Sequence, residues 1–378
     1  MSGPLAGVRA VHLGSLGPGP FAAMLLADLG CDVVVVDRVD DKMARSSPPD
    51  KDPRRRSQRS IRIDLKHPRA RPVLELLIRR ADVLVEGMRP GVAERLGLGP
   101  EDCSRFNPRL VYARMTGWGQ DGPLADRAGH DINYVAASGA LFAMGDPDRP
   151  PPVPLNLLGD YAGGGAYLVL GVVAALFRRE RDGGGEVIDA AIVDGVASLT
   201  SAAFGMLAAG APSGRGTNLF DGSAPFYRTY EARDGGFVAV GALEAQFYEQ
   251  MLERMGLPLA EWPQADRSRW PDLTERLARE FRSRDRLDWE RIFAGSDACV
   301  TAVVSFDEAP RQSHHVQRAT YVEAGGVVQP APAPRFERSP LASPRPSPRP
   351  GRDTDAVLAD LGLTVAEIDA LRAAGAVA

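Results

Sequence analysis

The chain reads as an α/β protein with a parallel sheet, joined to a smaller α+β domain. Three observations carry that reading. Val8 to Leu13 and Val33 to Val36 are short apolar runs of the buried-strand kind, and Phe21 to Leu29 between them has the length and composition of a helix. Two strands separated by a helix need a crossover, and therefore pair in parallel. From about Thr229 to Val328 the pattern changes to short strands mixed with amphipathic helices. Gln329 to Arg349 is so dense in proline that it predicts an extended connector rather than regular structure. The boundaries expected from these changes are 1–210, 225–328 and 329–378.

Each element follows from local chemistry. Gly17-Pro18-Gly19-Pro20 opens the first helix, since proline presets the backbone for a first turn and has no N–H to leave unpaired there. The second strand ends at Asp37-Arg38. Pro68 opens a helix to about Arg80, Val83 to Val85 is a further buried strand, and Leu110 to Met115 another. From about Gly159 the chain is helical, with little polar interruption between Ala166 and Phe177. A second apolar stretch, Ala190 to Ala209, follows Gly183-Gly184-Gly185. Both are too apolar for ordinary surface helices and belong in a core or a subunit interface. In the smaller domain, Phe237 to Val240 and Val300 to Val304 read as strands, and Leu243 to Met255 and Trp289 to Phe293 as helices. Thr354 to Leu361 and Val365 to Ala374 are short helices, the second with Thr364 and Glu367 at capping-box spacing. No repeat of fixed period is present.

Composition narrows the function. With 378 residues, 44% hydrophobic and 25% charged, the chain is ordinary for a globular protein of two domains. A net charge of −4 argues against nucleic acid as a partner. Cys31, Cys103 and Cys299 are odd in number and far apart, which suits a reducing compartment and forms neither a disulfide framework nor a metal site. Met1 to Leu5 has no basic segment leading into an apolar one, so no signal peptide is expected, and no run suggests a membrane span. A cytoplasmic location is the expectation. Gly14, Gly17 and Gly19 with Asp37 imitate a dinucleotide fingerprint, but the tight glycine spacing is missing, and Pro18 and Pro20 remove donors a diphosphate needs. An NAD-dependent dehydrogenase is therefore disfavoured.

Two glycine-flanked clusters carry the chemistry. Gly129 to Tyr134 contains His130 and Asp131, and about thirty residues later Asn156 to Asp160 precedes Gly163-Gly164-Gly165. Imidazole and carboxylate are the side chains best suited to exchanging a proton near neutral pH, which points to proton abstraction and return at carbon. Singly, each residue has a plainer reading: His130 as a structural histidine, Asp160 as a helix cap, Glu244 as a dipole contact and Asn156 as a turn residue. The glycine triplet allows close approach of a thioester or of packed backbone.

At these residues the chain resembles the family III CoA-transferases, and within that superfamily the racemases of 2-methylacyl-CoA thioesters. The matching text runs through Gly17 to Pro20, Val85-Glu86-Gly87 with Arg89-Pro90-Gly91, Leu96 to Pro100 and Ala113 to Gln120. It continues through Gly129 to Tyr134, Leu155 to Asp160, Val187 to Ala191, Gly241 to Glu244 and Ala333 to Phe336. The resemblance implies an interlocked homodimer, with a Rossmann-like large domain built from both termini and a smaller inserted domain. It implies that His130 and Asp160 are the acid–base pair, that Glu244 orients His130, that Asn156 hydrogen-bonds Asp160, and that the Asp131 backbone N–H binds the enolate oxygen. Arg38, Arg89 and Arg95 match family positions near CoA. Arg56 and Arg59, in the basic run from Arg54, are candidates for the CoA 3′-phosphate. Glu86, Gly87, Ala113 and Arg114, placed just after strands, and Tyr134 complete the expected CoA and substrate contacts. Met115, Met144 and Met206 are possible acyl contacts whose default is the core. The main rival is a CoA-transferase using Asp160 as nucleophile; a non-catalytic acyl-CoA-binding protein is the alternative of another class. The chain departs from its relatives at His12 to Ser15 and from Asp40 to Arg59.

Overall fold

The computed structural model describes residues 2–40, 48–212 and 214–378, so part of the Asp40 to Arg59 stretch, residues 41–47, lies outside the described residues. The chain divides into two compact units, Met1–Ser138 with Pro154–Leu199 and Arg318–Ala378, and Gly139–Val153 with Thr200–Gln317. The smaller unit thus also takes 139–153 and begins at Thr200, and residues 318–328 fall to the larger one.

The larger unit begins β1 (Arg9–Leu13), α1 (Pro18–Asp28), β2 (Asp32–Asp37), β3 (Arg59–Arg62), α2 (Arg71–Arg80) and β4 (Val83–Glu86). It continues α3 (Val92–Arg95), α4 (Pro100–Phe106), β5 (Val111–Thr116) and α5 (Asp131–Ala137). Leu157–Ala166 is π-helical and runs into α6 (Tyr167–Asp182), followed by β6 (Glu186–Ala191) and α7 (Ile192–Leu199). The six strands form one parallel sheet in the order β3-β2-β1-β4-β5-β6. That is the Rossmann order, and the direction of winding reverses between β1 and β4. Ligands bind such sheets outside the carboxyl ends of the strands at that reversal. Here the loops involved start at Gly14 and Gly87.

Val33 to Val36 are all at most 5% exposed, as a strand covered on both faces requires. On one face Val11, Val34, Leu77 and Ile78 share a core with Val357, Leu358, Ile368 and Leu371. The last four lie on α13 (Thr354–Asp360) and α14 (Val365–Ala373), numbered after the elements of the smaller unit. Thr364 and Glu367 cap α14 reciprocally, as their spacing predicted. The glycine triplet serves packed backbone: a Cβ at Gly163 would meet Val196, one at Gly164 would meet Pro18, and one at Gly165 would meet Phe21 and Pro18. Met115 is a core residue, 3% exposed.

The Leu157–Asp182 helix is long and apolar enough to cross a membrane by length and composition, and its glycines pack within the unit as described. Its far side leaves Leu170 and Phe177 well exposed. The apolar stretch from Ala190 splits: Ala190 and Ala191 finish β6, and the remainder forms α7 and α8 (Ser201–Ala208), where Phe204 and Leu207 are exposed.

The smaller unit adds β7 (Tyr227–Glu231), β8 (Phe237–Gly241), α9 (Ala245–Met255), α10 (Trp270–Phe281), α11 (Arg286–Phe293) and β9 (Val300–Val303). Its three strands are antiparallel, in the order β7-β8-β9, and pack on Tyr248, Trp262, Leu277, Phe281 and Trp289. After α12 (Ser313–Arg318), the hairpin of β10 (Tyr321–Ala324) and β11 (Val327–Pro330) leads into the proline-rich connector.

Candidate active site

Gly129 leads into α5, and His130 stands at its N-cap with extended backbone, φ −132° and ψ 171°. The His130 backbone N–H donates to Asn133 Oδ1 at 3.0 Å, which fixes the entry to the helix and leaves the imidazole exposed. Asp131 is the first helical residue, so its backbone N–H has no acceptor inside the helix and faces outward with the positive end of the helix dipole. Its side chain does something the sequence does not announce. It is 8% exposed, and its Oδ1 accepts the backbone N–H of Asp160 at 2.6 Å. One carboxylate therefore ties the two glycine-flanked clusters together. A Cβ at position 159 would lie 2.3 Å from that oxygen, so only glycine permits the approach.

The second cluster enters through Leu155, whose φ of 55° is strained for a branched side chain. Asn156 precedes the π-helical turn, a form that is uncommon and concentrated at functional sites. Its Nδ2 donates to Asp160 Oδ2 at 3.4 Å, as the resemblance implied. The Asp160 carboxylate lies over the loop after β1, 3.1 Å from where a Cβ on Gly17 would sit, and Gly17 has a positive φ of 65°. Asp160 thus stands at the winding reversal of the sheet. Burial pushes its pKa above the ordinary carboxylate value; the Asn156 amide works against this, the Asp131 charge reinforces it, and His130 and Arg54 oppose it. A carboxyl tuned upward takes and returns protons nearer neutrality.

Tyr134 lines the same region. Its ring is 7% exposed and packs edge-on against Trp118 at 4.8 Å, filling the space left by Gly117 and Gly129. Burial raises the phenol pKa, Asp160 adds to the rise, and Arg89 opposes it. Arg54, from the basic run considered for the CoA 3′-phosphate, comes close to Asp160 instead, and Tyr161 joins it without having been expected. Arg54 is clamped by Asp52 at 2.8 and 2.9 Å, and its Nη1 reaches the Tyr161 hydroxyl at 3.4 Å, while Tyr161 stacks on Phe21 at 4.5 Å. Glu244 belongs to the smaller unit, exposed at the N-cap of α9 without capping it, and its charge raises the pKa of Cys299 after the effect of burial.

The expected CoA contacts divide. Arg38 follows β2 and Arg89 follows β4, at the carboxyl edge of the sheet, and Arg95 closes α3. All three are exposed and form no ion pair among the described residues. Arg56 must be corrected. It is 3% exposed, bound to Asp28 at 2.5 and 2.9 Å and to Gln329 and the Pro330 carbonyl, so it is a buried structural cation. Arg59 is likewise engaged, by Asp32 at 2.5 and 3.0 Å and by Asp360 at 2.6 Å. Glu86, Ala113 and Arg114 lie within strands rather than after them. Glu86 is 1% exposed and accepts from Arg114 Nε at 3.2 Å and from the Met88 N–H at 2.7 Å, while Arg114 also meets Glu94. Those side chains hold the sheet edge together. Gly87 stays a loop residue at the reversal, where an added Cβ would lie 3.0 Å from the Ser15 side chain.

A six-stranded parallel sheet in Rossmann order, with a half-buried carboxylate over the loop at its winding reversal, defines a doubly wound α/β protein. The comparisons give the family. The chain belongs to CoA-transferase family III, whose model matches residues 5–354. It is 44% identical over 370 residues to an α-methylacyl-CoA racemase of Homo sapiens, covering 96% of this chain and 95% of the relative. It is 43% identical over 376 residues to the Mus musculus α-methylacyl-CoA racemase, at the same coverage. Among solved structures, a CAIB/BAIF family protein from Brucella suis is 26% identical with a TM-score of 0.83, covering 96% of this chain and all of the other.

Proposed function

We propose that this protein is an isomerase that interconverts the (2R) and (2S) forms of 2-methylacyl-CoA thioesters by 1,1-proton transfer through an enolate. The observation that carries the reading is the hydrogen bond between the two clusters: the Asp131 carboxylate, next to His130 in sequence, accepts the Asp160 backbone N–H at 2.6 Å, and the His130 charge acts on the Asp160 carboxyl. A transferase needs only the carboxylate; two-sided proton exchange needs both groups. The full-length similarity to racemases supports the same choice.

In this mechanism one of the pair removes the Cα proton and the electron pair moves into the thioester carbonyl, giving the enolate. The other returns a proton to the opposite face and the carbonyl re-forms, so charge and protons balance over the cycle. The Asp131 backbone N–H, at a helix start, stabilises the enolate oxygen. Asn156 orients Asp160. Arg38, Arg89 and Arg95 bind the CoA phosphates, and Gly87 and Tyr134 border the thioester. Side-chain acids and bases suffice, with CoA as part of the substrate and no separate cofactor. An interlocked homodimer is supported by exposed large apolar residues on each unit, Leu170 and Phe177 on the larger and Phe204 and Leu207 on the smaller, each 58–69% exposed. Buried free thiols at Cys31 and Cys103 suit the reducing cytoplasm.

The test is incubation of the purified protein with a panel of 2-methylacyl-CoAs in deuterated water. Deuterium at Cα with loss of optical purity is the expected outcome. Hydroxylamine trapping of an acyl group on Asp160, without deuterium uptake, would instead establish a transferase.

A further inference from the structure

His12 and Ser15 form a pair that the mechanism above does not use. His12 lies on the central strand β1, paired with Val35 and Val85, and is 2% exposed. Its Nε2 is 3.0 Å from Ser15 Oγ, and its Nδ1 is buried without a hydrogen-bond partner. A Cβ at position 19 would fall 2.2 Å from Ser15 Oγ and 3.1 Å from His12 Nε2, so Gly19 at the start of α1 makes space for the pair.

Burial pushes the His12 pKa down to about 4, with Asp37 opposing and Arg55 reinforcing, so the ring is neutral in neutral solution and carries one N–H. With the proton on Nδ1 the fold would bury a donor that has no acceptor. With it on Nε2 only a lone pair goes unmatched, the less costly defect. Nε2 therefore donates to Ser15 Oγ, and the serine keeps its own proton for another acceptor.

The position of Ser15 indicates which acceptor. Its Cβ and Oγ lie 3.0 Å from where a Cβ on Gly87 would sit, so it stands between the loops after β1 and β4 at the winding reversal. It is two residues from Gly17, over which the Asp160 carboxylate lies, and two residues span at most about 7 Å. The CoA diphosphate is a whole pantetheine arm away from a Cα held at Asp160. The thioester is not.

We propose that Ser15 donates a hydrogen bond to the carbonyl oxygen of the bound acyl thioester, and that His12 is the positioning residue that fixes Ser15 for this contact. The proposal rests on the acyl-CoA reading of the site. It adds a side-chain donor to the Asp131 N–H at the oxygen where negative charge develops.

The experiment uses the full-length protein and two ligands: a 2-methylacyl-CoA, and the thioether in which its carbonyl is replaced by CH2. Wild type is expected to bind the thioester more tightly than the thioether by calorimetry, and Ser15→Ala to lose most of that preference, the Asp131 N–H keeping the rest. Its kcat for Cα deuterium exchange should fall roughly 100-fold, the loss typical of one missing oxyanion donor. Equal weakening toward both ligands, or exchange within twofold of wild type, overturns the proposal. Because the calorimetry needs no turnover, a preference largely lost in Ser15→Ala alongside a wild type that exchanges no proton would sustain the contact and reject the racemase. For His12, His12→Phe should slow exchange, His12→Gln should restore part of the rate because its amide can donate to Ser15, and His12→Phe should add nothing in a Ser15→Ala background. Additive losses overturn the positioning role. If His12→Phe does not fold, His12→Gln and Ser15→Ala decide.

Discussion

The basic run from Arg54 to Arg59 and the turn from Asn156 to Asp160 are both crowded with polar groups, and they use them in opposite ways. In the first, Arg55 is matched by Asp37 at 2.6 and 3.0 Å, Arg56 by Asp28, and Arg59 by Asp32 and Asp360. Those ion pairs join β2, β3, the end of α1 and α13 into one block. In the second, the Asp160 carboxylate is half-buried, receives among the described residues a single long hydrogen bond from Asn156, and sits against a helix start whose first N–H has no internal acceptor. A polar group whose bonding capacity is met inside the fold stabilises the fold. One held in place with capacity left over is available to a substrate. The same distinction separates Arg56 from Arg89, two arginines that the sequence alone treats alike.

That contrast can be tested on stability. Arg56→Ala leaves Asp28 buried and unpaired, and should cost about 3–5 kcal/mol in urea denaturation. Arg89→Ala removes an exposed side chain that forms no ion pair among the described residues and should change stability by no more than about 0.5 kcal/mol, while raising KM for the acyl-CoA roughly tenfold. The reverse pattern would erase the distinction between the two regions.

A smaller effect is expected at Asn156. Its amide favours the charged form of Asp160, so Asn156→Ala removes a lowering influence and moves an already raised pKa higher. Asp160 works as a base when deprotonated, so the rate is lost as pH falls through that pKa, and the acid limb of kcat/KM should shift to higher pH in the variant. The rate above that limb should drop about tenfold, the low end for a hydrogen bond to a charged group. An unmoved limb would detach Asn156 from the titrating carboxyl.

The fold was legible in the sequence wherever one strand covered on both faces produced a continuous apolar run: β1, β2, β4 and β5. β3 was not, because Arg59-Ser60-Ile61-Arg62 looks like surface until its charges meet Asp32, Asp360 and, through Ser60 Oγ, Asp37. β6 was hidden for a similar reason, since Glu186 to Asp189 is largely exposed at the sheet edge. Placing Glu86 and Arg114 after strands failed because a buried ion pair lets a charged residue continue a strand inward. Among the site residues, His130, Asp160 and Asn156 were visible as residue types in glycine-flanked turns. The Asp131 side chain was not, because its partner is a backbone N–H 29 residues away. The His12–Ser15 pair had a local signal, a histidine inside an apolar strand three residues before a serine in a glycine loop, and only its burial gave that signal meaning.

The most direct test of two-sided proton exchange starts from single epimers. Wild type, His130→Ala and Asp160→Ala would each be given pure (2R)- and pure (2S)-2-methylacyl-CoA in deuterated water, with racemisation followed by chiral analysis and exchange by mass spectrometry. Racemisation should fall at least about 100-fold in both variants, the loss expected for a missing general acid or base. Each variant should still exchange the proton of one epimer, and the two variants should retain opposite epimers. Racemisation at the wild-type rate in either variant, or retention of the same epimer by both, would contradict an enolate held between His130 and Asp160.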